Sequence, residues 1–334
     1  MKTYNVGILG ATGAVGREMM KILEERNFPI GELRLLASAR SVGKKIAYKG
    51  EQIEVKLAEV GAFEGLDIVL GAASNAIAKE LAPDIVKAGA VFVDNSSAFR
   101  MCDDVPLVVP EINAEDVKKN KGIISNPNCS TIITLVAVNA INKLSNIKGM
   151  IASTYQATSG AGAGGPVELR NQTKALLEGG EITNEVFQYQ IAENVIPHIG
   201  GFGDNGYTAE EMKMQNEGRK ILHLPELKVT CTCVRVPVVR SHSISVTVLT
   251  EDNLTVEQVK EAVANAKGCK LYDDNDNKLY PMPLVTSDQD LVYVGRIRKD
   301  LVFDNAITLW CCGDQVRKGA ATNAIQIAEA LINE

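Results

Sequence analysis

The stretch Tyr4-Asn-Val-Gly-Ile-Leu-Gly10-Ala-Thr-Gly13-Ala-Val-Gly16 decides the fold of the first part of this chain. Residues 4–9 predict a short buried strand, the three glycines predict a turn, and a helical pattern runs on to about Arg26. Such a turn exposes backbone N–H groups that can bind a pyrophosphate. The glycine spacing has one residue more than the commonest dinucleotide-binding fingerprint. A tight strand-to-helix turn without a ligand is therefore the alternative.

More strands of the same kind follow the first helix. Apolar runs at residues 33–37, 67–72 and 91–94 predict buried strands, and residues 77–88 predict a helix between the last two. Alternating strands and helices are typical of a doubly wound sheet of parallel strands. We therefore expect a Rossmann-like α/β domain at the start of the chain.

The end of the second strand bears on the choice of cofactor. Sites for NAD usually carry an acidic residue there, which binds the 2′-hydroxyl of the ribose. Here the segment Ala37-Ser-Ala-Arg40-Ser41 has no acid but has an arginine and two hydroxyls. Because a guanidinium attracts a 2′-phosphate, the sequence predicts NADP over NAD.

A cysteine in an unusual setting follows this domain. Cys129 comes directly after Asn126-Pro-Asn128 and before the apolar run 132–141, which places its sulfur in the first turn of a buried helix. The helix dipole favours a thiolate there, but its contribution of roughly 0.3–1 kcal/mol is less than one pKa unit, about 1.4 kcal/mol. A second group must therefore take the proton.

Histidine is the natural proton acceptor, and the chain has three: His198, His223 and His242. His242 is the best candidate because it directly precedes the strand pattern 243–249. With a two-residue alternation, it falls on the same face of that strand as the apolar residues. Arg235, on the strand pattern 229–236, could converge with it on one cavity. The alternative is a half-buried core histidine and a surface arginine.

The chain after residue 129 is organised differently. Longer patterns of alternating polarity, at 147–156, 229–236, 243–249 and 306–312, predict a largely antiparallel sheet in an α+β domain. The helical pattern 317–332 is expected to return to the first domain. We therefore predict domains at 1–128 plus 315–334 and at 129–314.

Composition narrows the classes of partner and compartment. A net charge of −6 argues against nucleic acid or an anionic membrane surface as the main partner. Seven cysteines in a long chain do not resemble a disulfide framework, and pairs such as Cys231 and Cys233 lack the further ligands of a metal site. The chain has no signal-peptide pattern and no apolar run of about 18 residues. We expect a cytoplasmic protein without a metal.

Six motifs together indicate a family. In chain order they are Gly10-Ala-Thr-Gly-Ala-Val-Gly16, Asp94-Asn-Ser-Ser-Ala-Phe-Arg100, Ser125-Asn-Pro-Asn-Cys-Ser-Thr131, Tyr155-Gln-Ala-Thr-Ser-Gly160, Asn216-Glu-x-x-Lys220 and Arg235-Val-Pro-x-x-Arg-Ser-His242. With these motifs in this order, the chain resembles bacterial aspartate-β-semialdehyde dehydrogenase over essentially its whole length.

The resemblance implies a role for each candidate residue. Cys129 would be the nucleophile that forms a thioester, and His242 the proton acceptor and donor. Substrate would be bound by Gln156, Glu217 and Arg235, and its phosphate by Arg100 and Lys220. The implied cofactor contacts are Gly10, Thr12, Gly13, Ala14, Val15, Arg40, Ser41, Ser159, Gly160 and Gln315.

The resemblance also implies the reaction and the assembly. Reduction of β-aspartyl phosphate by NADPH would yield aspartate β-semialdehyde and phosphate, for lysine, threonine and methionine biosynthesis, in a homodimer or a tetramer. One alternative is another acyl-phosphate reductase of the same superfamily. The glyceraldehyde-3-phosphate dehydrogenase box Ser-Cys-Thr-Thr-Asn is absent. A second alternative is a dinucleotide-binding sensor that lacks the chemistry.

Overall fold

The computed structural model describes residues 2–333 and divides into two compact units. The first unit contains the chain up to Asn128 and again from Ala320 onward, and the second contains Cys129–Gly319. The first division coincides with the predicted boundary, whereas the predicted return at residue 315 falls inside the second unit.

The first unit begins with alternating strands and helices. Its elements are β1 (Tyr4–Leu9), α1 (Ala14–Glu25), β2 (Ile30–Ala37), β3 (Lys45–Tyr48), β4 (Glu51–Leu57), β5 (Ile68–Gly71), α2 (Asn75–Lys87), β6 (Val91–Asp94), α3 (Pro110–Asn113) and β7 (Ile123–Ser125). Short 3-10 helices cover Ala39–Ser41 and Ala114–Lys119.

These strands form one seven-stranded sheet in the order β3-β4-β2-β1-β5-β6-β7. Every pairing is parallel except β3 with β4, which forms an antiparallel edge that the sequence patterns missed. The two faces bury separate apolar clusters. One contains Met19 and Ile22 of α1, and the other contains Leu81 and Ile85 of α2. Burial on both faces explains the unbroken apolar runs of the central strands.

The second unit contains the remaining strands and most of the helices. Its elements are α4 (Cys129–Asn142), β8 (Ile147–Gln156), α5 (Gly164–Glu178), α6 (Ala209–Ile221), β9 (Lys228–Arg235), β10 (His242–Thr250), α7 (Val256–Asn265), β11 (Cys269–Leu271), α8 (Pro283–Thr286), β12 (Val292–Lys299) and β13 (Ala306–Gly313). A 3-10 helix covers Thr158–Ala161.

The six strands of this unit have the order β11-β12-β13-β10-β8-β9. Pairings within β12-β13-β10-β8 are antiparallel, and the two outer pairings are parallel, so the sheet is mixed. Helix α4 packs against this sheet and against α6 and α7. Because residues 130–141 are buried all round, α4 has no polar face and is fixed along its length.

The chain then returns to the first unit. A π-helix at Arg317–Ala321 leads into the last helix, α9 (Thr322–Ile332). Ile325 and Ala328 of α9 join the same cluster as α1. The predicted α/β and α+β fold is confirmed, and β11, β12 and α7 are elements that the patterns missed. Within residues 2–333, no helix combines the length and apolar character needed to span a membrane.

Candidate functional site

The glycine turn of the first unit packs so closely on neighbouring backbone that two of its positions admit no side chain. Gly10 has φ of +91°, and a Cβ there would lie 2.5 Å from the Ala72 carbonyl oxygen. A Cβ on Gly16 would collide with the Gly10 carbonyl oxygen. Gly13 caps α1 without any side chain that could occupy the N–H groups of the first turn. An anion such as a pyrophosphate therefore fits this helix N-terminus.

The candidate residues for the nucleotide ribose lie beside this turn. Arg40 is exposed in the 3-10 helix that follows β2, and Ser41 is buried next to it. The hydroxyl oxygens of Thr12 and Ser41 are 3.3 Å apart. Ala14 and Val15 start α1. The structure thus places the glycine turn next to the arginine-containing segment, within one unit.

Arg100 is a buried arginine held by backbone oxygens. Its guanidinium donates to the carbonyl oxygens of Asn126, at 3.0 Å, and Asn95, at 2.7 Å. Burial raises the pKa of nearby Asp94. The hydrogen bonds that Asp94 accepts from Ser96, and the positive charge of Arg100, partly offset this increase. The arginine is therefore fixed just beyond the carboxyl end of β6, where ligands bind in sheets of this kind.

Cys129 is the first residue of α4, as predicted, and it is half-buried. The backbone of the π-helix approaches it closely, because a Cβ on Gly319 would lie 2.9 Å from Cys129 Cβ. A larger residue at 319 would therefore displace the cysteine. Its sulfur combines a helix N-terminus, partial exposure and a fixed backbone, which are the features of a reactive thiol.

Arg235 interacts electrostatically with this sulfur. Its guanidinium is buried and donates a 2.6 Å hydrogen bond to the Ala157 carbonyl oxygen. Burial lowers the pKa of Arg235, while the negative charges of Cys129 and Glu210 oppose that shift. A thiolate at Cys129 and the guanidinium therefore stabilise each other.

His242, the first residue of β10, is completely buried. Its Nδ1 accepts a 3.1 Å hydrogen bond from the Ala157 backbone N–H, and its Nε2 has no hydrogen-bond partner among residues 2–333. Burial, then the charge of Arg235, lower the pKa of His242 to about 3, against a smaller opposing effect of Glu210. The imidazole is therefore neutral at neutral pH.

The loop after β8 lies directly against these two side chains. A Cβ on Gly160 would be 2.8 Å from Arg235 Nη1 and 3.1 Å from His242 Nε2. Ser159 accepts a short hydrogen bond from the amide of Gln315. The oxygen of that amide accepts from the N–H of Ser241, which has φ of +73°. Gln315 thus connects the glycine loop with the strained residue before His242.

Gln156 ends β8, and Glu210 is its acidic neighbour. The Gln156 amide lies 3.3 Å from a Glu210 carboxylate oxygen, and Lys213 Nζ lies 2.8 Å from the other. Glu210 also influences the pKa values of Arg235 and His242. Sequence reasoning missed both Glu210 and Lys213.

The predicted pair, Glu217 and Lys220, lies two turns further along α6. At 1.5 Å per residue, seven residues separate the pairs by about 10 Å along the axis. Glu210-x-x-Lys213 has the same spacing as Glu217-x-x-Lys220. The capping box of Thr208 and Glu211 could have distinguished them, because it places Glu210 in the first turn of α6 and Lys213 just after that turn.

Together these features define a class of protein: a two-unit oxidoreductase with a nucleotide-binding sheet and a cysteine-containing second unit. Models of two families match the chain. The semialdehyde dehydrogenase NAD binding domain matches residues 5–120, and the semialdehyde dehydrogenase dimerisation domain matches residues 138–318. The chain belongs to the aspartate-semialdehyde dehydrogenase family.

Individual relatives match this chain over nearly its whole length. Aspartate-semialdehyde dehydrogenase of Aquifex aeolicus is 52% identical, with 99% of this chain and 98% of that protein covered. The Vibrio cholerae aspartate semialdehyde dehydrogenase II crystal structure with ASA superposes with a TM-score of 0.98 at 44% identity, covering 100% and 99%. The Candida albicans enzyme with NADP has a TM-score of 0.77 at 26% identity, covering 99% of each chain.

Proposed function

We propose that this chain reduces β-aspartyl phosphate to aspartate β-semialdehyde and phosphate, in the biosynthesis of lysine, threonine and methionine. The observation that carries the proposal is Cys129 at the start of α4, half-buried and electrostatically coupled to the Arg235 guanidinium. The Cys129 thiolate adds to the acyl carbon, and the bond to phosphate breaks, which leaves a thioester. Hydride addition and loss of the thiolate then release the aldehyde.

The side chains around Gln156 provide binding groups for an amino acid with an anionic tail. Arg235 is a buried guanidinium, suited to pairing with a carboxylate because that pairing offsets its desolvation. We assign the substrate ammonium to Glu210 and the phosphate to Lys213 and Arg100. These assignments revise the predictions for Glu217 and Lys220, because Glu210 is the acid that contacts Gln156.

NADP is the proposed cofactor, and it supplies the hydride when bound. The glycine turn would hold the pyrophosphate, because it packs tightly on its own backbone and leads into the N-terminus of α1 with no capping side chain. Arg40 and Ser41, at the end of β2, would hold the 2′-phosphate. Ser159, Gly160 and Gln315 are the proposed contacts on the second unit. The presence of NADP in the Candida albicans relative supports the choice.

Dimerisation is the proposed assembly, and a reducing cytoplasm the proposed compartment. The family description of residues 138–318 as a dimerisation domain supports the first. All seven cysteines, which lie within residues 2–333, are free thiols. Seven cysteines without the spacing of a disulfide framework suit a reducing compartment, which supports the second.

An assay with purified enzyme tests the proposal. Aspartate β-semialdehyde, inorganic phosphate and NADP should together produce the absorbance of reduced nicotinamide, and omission of phosphate should reduce the rate strongly. Acetyl-glutamate semialdehyde serves as the competing substrate of a related reductase. A higher kcat/KM for that compound, or cofactor binding without turnover of either aldehyde, would overturn the proposal.

A further inference from the structure

The residue before His242 has a strained backbone conformation. Ser241 is completely buried and has φ of +73°, in the left-handed region that residues other than glycine rarely adopt. Such a conformation persists only where the surrounding structure holds it in place. Because Ser241 leads directly into β10, a return of its φ to negative values would change the direction in which the chain enters His242.

Contacts at two consecutive residues hold this backbone. The N–H of Ser241 donates a 2.7 Å hydrogen bond to the side-chain oxygen of Gln315, and its hydroxyl oxygen lies 3.1 Å from that of Ser287. One residue earlier, Nε of Arg240 donates a 2.6 Å hydrogen bond to the carboxylate of Asp314. Asp314 and Gln315 are neighbours in the chain, so one short segment after β13 holds both residues that precede β10.

The carboxylate of Asp314 is completely buried, and donors occupy both of its oxygens. Oδ2 accepts from Nε of Arg240 at 2.6 Å and from the N–H of Asp288 at 2.7 Å. Oδ1 accepts from the N–H groups of Val316 and Arg317, at 2.9 and 3.1 Å. Four donors offset the desolvation of the buried charge. The carboxylate therefore fixes the turn after β13 to the segment that enters β10.

The backbone of the same turn also reaches the surroundings of Cys129. The N–H of Gly319 donates a 3.0 Å hydrogen bond to the carbonyl oxygen of Asp314. A Cβ on Gly319 would lie 2.9 Å from Cys129 Cβ, so this part of the π-helix packs directly on the cysteine. Asp314 is thus connected to the cysteine through its main chain and to the segment before His242 through its side chain.

We propose that Asp314 is a positioning residue for His242. Its carboxylate holds Arg240 and its own turn, and these two supports keep Ser241 in the left-handed conformation. Asp314 acts through these neighbours and not on the substrate. The inference rests on the proposed function for the reaction that His242 serves, whereas the contacts of Asp314 do not depend on the identity of the substrate.

Steady-state kinetics of Asp314→Asn test the role in turnover. The amide has one acceptor oxygen, so two of the four donors would face an NH₂ group. We expect kcat to fall on the order of 10–100-fold, as misplacement of a reacting group does, and KM for aspartate β-semialdehyde to stay within about threefold. The control is Asp290→Asn, which removes an ion pair with Arg317 in the same turn and should keep kcat within about twofold. Equal losses of kcat in the two variants would overturn the proposal.

A rescue experiment tests whether the strain at Ser241 is what Asp314 holds. Glycine adopts positive φ without a steric penalty, whereas alanine keeps the strain of serine and, like glycine, lacks the hydroxyl. Added to Asp314→Asn, Ser241→Gly should raise kcat by about fivefold or more, and Ser241→Ala should not raise it. A merely structural defect would not distinguish the two. Equal kcat values of the two double variants would therefore contradict the proposal.

Hydrogen exchange followed by mass spectrometry tests the contacts without any substrate. The Ser241 amide should exchange about tenfold faster or more in Asp314→Asn, because its hydrogen bond to Gln315 opens more often, and at the wild-type rate in Asp290→Asn. Unchanged exchange in Asp314→Asn would overturn the proposal whatever the substrate is. Faster exchange in that variant, with a wild type inactive toward aspartate β-semialdehyde, would support the positioning contacts and refute the proposed function.

Discussion

At Cys129 two effects favour the thiolate, the N-terminus of α4 and the charge of Arg235. Cys129→Ser keeps the size of the side chain but removes the accessible anion. We expect kcat to fall by at least on the order of 10³-fold with cofactor affinity unchanged, measured by steady-state kinetics and equilibrium binding. Cys102→Ser, at an exposed cysteine, is the matched control. Near-normal turnover by Cys129→Ser would exclude this cysteine as the nucleophile.

At Arg40 the prediction concerns the choice of cofactor. Loss of a charge-assisted hydrogen bond of about 1.5–3 kcal/mol should lower kcat/KM for NADP by roughly 10–100-fold in Arg40→Ala, with little change for NAD. Lys44→Ala, an exposed cation just after Ser41, is the control. Equal efficiency of the wild type with both cofactors would contradict the assignment of Arg40.

At His242 the lowered pKa predicts a pH-dependent stability. The folded pKa of His242 is about 3, against an ordinary value of 6.5 for histidine, so below pH 6.5 the unfolded chain takes up a proton that the folded chain does not. The free energy of unfolding therefore falls as pH decreases from 6.5 toward 3, by about 1.4 kcal/mol per unit, and is unaffected above 6.5.

Calorimetry of wild type and His242→Gln at about pH 7 and about pH 5 measures this effect. The wild type should lose more thermal stability on acidification than the variant, because glutamine does not titrate. Identical losses in the two proteins would mean that the buried imidazole is protonated in the folded state.

Among the elements, α6 offers two pairs with the same spacing but different positions. Lys213 lies in its first turns and bonds to Glu210, whereas Lys220 lies in its last turn. We expect Lys213→Met to raise the KM for phosphate about tenfold or more, because it removes a charge-assisted contact. Lys220→Met should change it little.

The comparison of these two variants is decisive because each serves as the other's control. Circular dichroism would establish that α6 is retained in both. A larger effect at Lys220 would restore the original prediction for Glu217 and Lys220 and would withdraw the assignment made from the contact between Glu210 and Gln156.

For the whole molecule, the open face of the second sheet is the proposed dimer surface. Helices α4, α6 and α7 pack against the second sheet, whereas Ile151 and Tyr155 of β8 remain exposed, with the Tyr155 ring 5.4 Å from that of Trp310. Exposed apolar and aromatic side chains on a sheet favour association. Tyr155→Arg should shift the protein from dimer to monomer in sedimentation experiments.

The control is Val60→Asp, which changes an exposed apolar residue of the first unit. It should leave the sedimentation coefficient unchanged. A wild type that sediments as a monomer at micromolar concentration, or a Tyr155→Arg variant that remains dimeric, would place the subunit contact elsewhere.

Many elements of both units could be predicted because their signals are local. The bounds of β1 and β6 follow from apolar runs between turn residues, and those of β8 follow from its alternating polarity. The start of α4 at Cys129 follows from the proline-containing turn before it. The β3–β4 hairpin was missed because its strands are polar and half-exposed, which removes the apolar run. Strand β11 was missed because it is too short to form a recognisable pattern in the sequence.

The sequence by itself determined the alternating α/β fold, the glycine turn and the helical setting of Cys129, because each depends on residues close together in the chain. Only the tertiary structure decided that Glu210 rather than a neighbouring acid meets Gln156, and that His242 turns Nδ1 toward the Ala157 amide. Those contacts join residues 54 and 85 positions apart. Spacing along one helix or strand carries no information about such distant partners, since packing between elements fixes them.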